Sequence, residues 1–156
     1  MTCPAETTCP SAESRRTRIV GLAVALPCWG LLTVAWCLAP REGDGYGTAS
    51  QLGLPDCAYL VNSGYPCPTC GMTTAVSAAA QGKLAAAFRA QPFGIVVAAG
   101  LLAGGLGGTW QLVTGRRLPK WMRPRWRWLF VAVGGQLVSW GWVWFSGVAS
   151  GKWPIT

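Results

Sequence analysis

The run IVGLAVALPCWGLLTVAWCLA, residues 19–39, holds no charge between Arg18 and Arg41. At about 1.5 Å per residue its 21 residues cross a hydrocarbon core of about 30 Å. Two further uncharged runs follow, 90–115 and 128–151, of 26 and 24 residues. A buried core helix seldom runs so long, and three in one chain point to a membrane protein. The first run also exceeds the apolar stretch of a cleaved leader, about 7–15 residues, so it reads as a retained helix although Arg15, Arg16 and Arg18 precede it.

Composition agrees. The chain has 156 residues, of which 12% are charged and ten are Trp, with a formal net charge of +8. Ordinary soluble domains carry roughly 25% charged residues. There is no His, and the five carboxylates (Glu6, Glu13, Glu42, Asp44, Asp56) all lie outside the apolar runs. This excludes Ser/His/Asp triads, His-ligated metals and buried carboxylate proton relays. Any chemistry here is sulfur chemistry.

The expected architecture is all-α and polytopic: three transmembrane helices and a short amphipathic or interfacial helix after an outer Cys-Pro-x-Cys loop. A basic tail (1–18) precedes a single membrane domain (19–151). Its parts are a span at 19–39, an outer loop with the interfacial helix at 40–92, a span at 93–114, a basic link at 115–127 and a span at 128–148. A short outer tail, 152–156, follows. Arg15, Arg16 and Arg18 lie before the first span, and Arg116, Arg117, Lys120, Arg123, Arg125 and Arg127 fill the link. By the positive-inside rule these segments are cytoplasmic, and the cysteine-rich loop faces outward from the cell (inner or plasma) membrane. Trp121, Trp126 and Trp128 interleave the basic residues as in an interfacial belt, so anionic lipid headgroups, not nucleic acid, are the expected partner of the link.

Gly100, Gly104 and Gly108 recur every fourth residue, the pattern that lets two helix backbones approach, within the chain or between copies in a homo-oligomer. Gln136 and Ser139 can bond between helices. In the loop, apolar residues at 72, 76, 80, 84 and 88 mark one helix face, with Thr73, Ser77 and Gln81 on another and Gly82 as a break.

The loop also carries Gly64-Tyr65-Pro66-Cys67-Pro68-Thr69-Cys70-Gly71-Met72-Thr73. Cys-Pro-x-Cys allows three uses. With Pro68 at a first helical position, Cys67 at the N-cap becomes a reactive thiolate. In an oxidising compartment the pair can instead form a structural disulfide. Cys-Pro-x-Cys-Gly also has the form of one zinc knuckle. Cys37 and Cys57 are expected on the same side, giving four thiols for two disulfides or one metal site; Cys3 and Cys9 fall in the tail, and Cys28 falls within the membrane.

The stretch from Cys57 through Cys67-Pro68-Thr69-Cys70-Gly71-Met72-Thr73 to Gln91-Pro92-Phe93 resembles the bacterial membrane family known as domain of unknown function 2752. Thr74 stands where many members have Arg, and Gln91 where Asn is usual. The resemblance implies a small integral membrane protein with Cys57, Cys67, Pro68, Cys70, Gly71 and Thr73 as its motif positions, and it implies no activity. Two functional readings follow. One is a non-enzymatic scaffold or accessory subunit of a membrane partner, its outer loop stapled through cysteine. The other is a thiol-disulfide exchanger using Cys67 and Cys70, with a zinc-binding cysteine cluster as a further alternative.

Overall fold

The computed structural model describes residues 12–40, 47–55, 57–117 and 126–151. The expected basic link beyond Arg117, both tails, Cys3 and Cys9 lie outside or largely outside the described residues. Six α-helices appear among them, and no strand: α1 (Ala12–Cys37), α2 (Ala58–Ser63), α3 (Met72–Ala80), α4 (Leu84–Ala90), α5 (Pro92–Thr114) and α6 (Trp126–Ala149). Three are long and apolar enough to cross a membrane: Glu13–Cys37, Pro92–Thr114 and Trp128–Ala149.

α1 and α5 form an antiparallel pair in which glycine replaces side-chain bulk. Gly108 sits against Gly21 and Ala25, Gly104 against Cys28, and Gly105 under the Trp29 ring. Trp29 Nε1 donates to Thr109 Oγ1 at 3.1 Å, tying the helices at the same level. Gly100 faces open space. The seam therefore uses Gly104 and Gly108 from the four-residue series and adds Gly21 and Gly105. Pro27 lies inside α1 without ending it, as membrane helices tolerate.

The expected single interfacial helix is two, because Gly82 at φ 78° turns the chain between α3 and α4. Its orientation also differs from an aqueous reading. Thr74, Ala75, Ser77 and Ala78 are buried in the protein, whereas Leu84 and Phe88 are exposed. Burial here follows size and polarity, since large apolar side chains lose nothing by facing lipid while small ones permit close packing.

α3 serves as a lid on the end of α1. A helix leaves its last four carbonyls without internal partners. Ser77 Oγ donates to Ala35 O (2.7 Å) and Leu38 O (2.8 Å), and Gln81 Nε2 donates to Trp36 O (3.0 Å) and Leu38 O (2.7 Å). Gln51 Nε2 donates to Ala39 O and its Oε1 accepts from the Ala39 amide. Gln51 belongs to a 3-10 turn (Thr48–Leu52), which is fastened to α3 by a buried Thr48–Thr74 hydroxyl pair at 2.8 Å.

α6 is held differently. It meets α5 near Phe93, whose amide donates to Ser139 Oγ (3.1 Å) and whose ring lies against Gly135. The first turn of α5 thus meets the middle of α6. The C-terminal half of α6 runs on alongside the cysteine loop, with Trp140 bonded to that loop and Trp144 paired with the Tyr65 ring.

Candidate functional site

α2 is a six-residue helix entered directly from Cys57 and closed by Gly64 at φ 71°, whose N–H donates to Leu60 O. That left-handed residue reverses the chain, and Pro66, fully buried, fixes the next step. Cys67-Pro68-Thr69-Cys70 is a turn closed by the Cys70 amide donating to Cys67 O at 3.0 Å. Pro68 occupies the position where its fixed φ suits such a turn. Gly71, at φ 81°, is the N-cap of α3; a β-carbon there would strain the backbone. Cys67 therefore lies before a turn and not at a helix N-cap as expected, because the left-handed Gly71 delays the helix to Met72.

The turn and α2 bring three sulfurs together. Cys57, Cys67 and Cys70 have Sγ atoms all within 4.8 Å of one another, and each residue is partly buried. The Cys57 thiol donates to Cys67 Sγ at 3.5 Å. A disulfide would need about 2.0 Å. Among the described residues no cysteine pair lies at that distance, so the expected staple is not supported: Cys28, Cys37, Cys57, Cys67 and Cys70 are all free. Cys37 is exposed and does not join the group, since its helix ends beneath α3; Cys28 faces Gly104 in the α1–α5 seam.

The three thiols are unequal. Burial pushes Cys67 up, but hydrogen bonds from the Thr69 hydroxyl and amide and from the Cys57 and Cys70 thiols outweigh it, leaving the group below the ordinary cysteine value. The Thr69 Oγ1 lies 3.4 Å from the sulfur. Cys70 is pushed up to about 12, first by burial, then by its contact with Cys67 and the charges of Cys67 and Cys57. A sulfur that loses its proton more readily than an ordinary cysteine, beside two further thiols, suits either a nucleophile with resolving partners or a set of metal ligands.

The loop backbone is pinned by side chains from elsewhere. Gln91 Nε2 donates to Pro68 O at 3.0 Å, and Gln136 Nε2 donates to the same oxygen. Trp140 Nε1 donates to Pro66 O at 2.9 Å. In the sequence, Gln91 shows only as the residue standing where the resembled family usually has Asn, and Gln136 as one that can bond between helices. An amide in an apolar span signals a polar partner, but not that the partner is a loop carbonyl beside a cysteine. Thr73, a motif position, is exposed at the start of α3, and its neighbour Thr74 is buried.

The family model described as "Protein of unknown function (DUF2752)" matches residues 57–105, the family that the cysteine motif resembles. The matched segment begins at Cys57 and contains the sulfur group, α2 to α4, Gln91 and α5 as far as Gly105. No curated protein and no solved structure matches the chain.

Proposed function

We propose that the chain is a small membrane protein whose cap binds one soft metal ion, zinc by ligand chemistry, through Cys57, Cys67 and Cys70. The observation that carries this is the mutual spacing of three free sulfurs, all within 4.8 Å with no pair bonded. Tetrahedral thiolates about 2.3 Å from zinc lie about 3.8 Å from one another, so the pair at 3.5 Å needs little movement. Thiolate ligands select zinc or copper(I) over hard cations. Three protein sulfurs leave a fourth position for water, for an exogenous ligand or for a group outside the described residues. In this reading the N-terminus and basic link lie in the cytoplasm against anionic headgroups, and the cap lies outside.

The test is metal content of the full-length protein purified in detergent under reducing conditions. One zinc per chain is expected, lost in Cys57→Ser, Cys67→Ser and Cys70→Ser and kept in Cys37→Ser. Reduced protein that takes up no zinc, copper(I) or cobalt overturns the proposal.

The opposite displacements of Cys67 and Cys70 favour a second reading, thiol-disulfide exchange. Cys67 thiolate would attack a partner's disulfide, releasing one partner thiolate. Cys70 or Cys57 would then displace the second, leaving a cysteine disulfide here and two reduced thiols on the partner. The double variant Cys57→Ser/Cys70→Ser, which leaves Cys67 without either resolving thiol, should then accumulate a mixed disulfide on Cys67, which a metal site would not do.

A further inference from the structure

Pro68 O accepts from two side-chain amides, Gln91 at the entry to α5 and Gln136 in α6. The same peptide group joins Pro68 to Thr69 in the turn between Cys67 and Cys70, and Thr69 Oγ1 lies 3.4 Å from the Cys67 sulfur. Donors that hold the carbonyl end of this peptide hold its Thr69 end as well. The two glutamines thus reach Cys67 through one rigid, planar unit.

Gln136 is costly for a mere anchor. It stands in a membrane-spanning window, and its Oε1 is buried with no hydrogen-bond partner among the described residues. Burying an unpaired polar oxygen is unfavourable. α6 already has Ser139, Trp140 and Trp144 to hold it. Gln91 is likewise 1% exposed, one of the largest fully buried side chains of the molecule.

We propose that Gln91 and Gln136 are positioning residues of the cysteine site, acting on Cys67 through the Pro68–Thr69 peptide. This deepens the metal reading and rests on it. Gln136 lies outside the segment that matches the family, so the third long helix contributes to a site whose ligands all lie within that segment.

The experiment compares the full-length protein in detergent with Gln136→Leu, Gln91→Leu and Trp140→Phe, using cobalt(II) as the probe. Partners that orient metal ligands typically carry 10–100-fold in affinity. Gln136→Leu and Gln91→Leu should each weaken cobalt binding by about tenfold and shift the thiolate-to-metal charge-transfer band. Trp140→Phe removes an α6 anchor from the Pro66 carbonyl, which is not on the Pro68–Thr69 peptide, and should keep both affinity and spectrum. Circular dichroism screens for folding, and Gln136→Leu carries the test if Gln91→Leu does not fold. Equal weakening by Trp140→Phe and Gln136→Leu, or unchanged binding in both glutamine variants, overturns the inference. If wild-type reduced protein binds no cobalt, the metal reading fails on its own. The glutamines are then judged by iodoacetamide alkylation of Cys67 at one fixed pH: several-fold slower in Gln136→Leu than in Trp140→Phe supports the positioning role, and equal rates overturn it.

Discussion

Adding one methyl group at two glycines of α5 should move stability in opposite directions. A β-carbon on Gly108 would lie 2.7 Å from Gly21 O, 2.8 Å from Ala25 N and 3.0 Å from Ala25 Cβ, where ordinary contact begins at 3.4 Å. Its neighbours are backbone or backbone-adjacent, so no flexible side chain can yield, and α1 must move away by several tenths of an ångström. Such overpacking costs about 1–3 kcal/mol. At Gly100 the added carbon meets nothing within 4 Å. Both variants share the gain from replacing Gly by Ala inside a helix, about 1 kcal/mol. The difference between Gly108→Ala and Gly100→Ala therefore isolates the steric cost. For a chain of this size 1 kcal/mol moves Tm by roughly 2–4 °C, so the two variants should be separated by about 2–12 °C. The assay is thermal unfolding in detergent followed by alkylation of Cys28, which lies in the seam against Gly104. Gly108→Ala melting at or above Gly100→Ala would refute the close α1–α5 crossing.

Other outcomes follow from the cap and the sulfurs. Ser77→Ala leaves the carbonyls of Ala35 and Leu38 short of a buried donor and should lower stability by about 1–3 kcal/mol, read from the same melting curve. In metal-free reduced protein at neutral pH, Cys67 should be alkylated much faster than Cys70. Cys67 lies below the ordinary value and is the more anionic, while Cys70, at about 12, stays a thiol until strongly alkaline pH; mass spectrometry at pH 7 that finds Cys70 the faster would contradict the site. Gly71→Ala strains a residue at φ 81°. It should cost about 1–2 kcal/mol and reduce metal uptake, whereas Gly53→Ala, strained to a similar degree at φ 74° but with nothing within 4 Å of the added carbon, should not affect uptake.

The three long helices and their all-α class were legible because charge alone marks membrane boundaries: Arg18 and Arg41, Arg89 and Arg116 bracket runs that water cannot accommodate. The cysteine motif and the family match were legible as a string of residues. The packing was less so. Periodicity of Met72, Val76, Leu84 and Phe88 identifies an apolar face, but in lipid that face does not specify the buried side, and Ala75, Ser77 and Ala78 took it. α2 is too short for a periodic signal, and its turn at Gly64 decides which cysteine meets Cys67. The expected disulfide came from the compartment assigned to the loop, which says nothing about where a left-handed Gly64 and Gly71 aim three side chains. Gly21 and Gly105 escaped notice because close approach depends on the partner helix, which no single run of sequence contains.

The lid over the end of α1 has a consequence in time. Synthesis runs from the N-terminus at about 5–20 residues per second. Ser77 follows Leu38 by 39 residues, so about 2–8 s pass between the two. During that interval the last carbonyls of α1 lack the donors that the folded chain gives them. The end of the first long helix is therefore completed late, when a serine and a glutamine from the middle of the chain arrive.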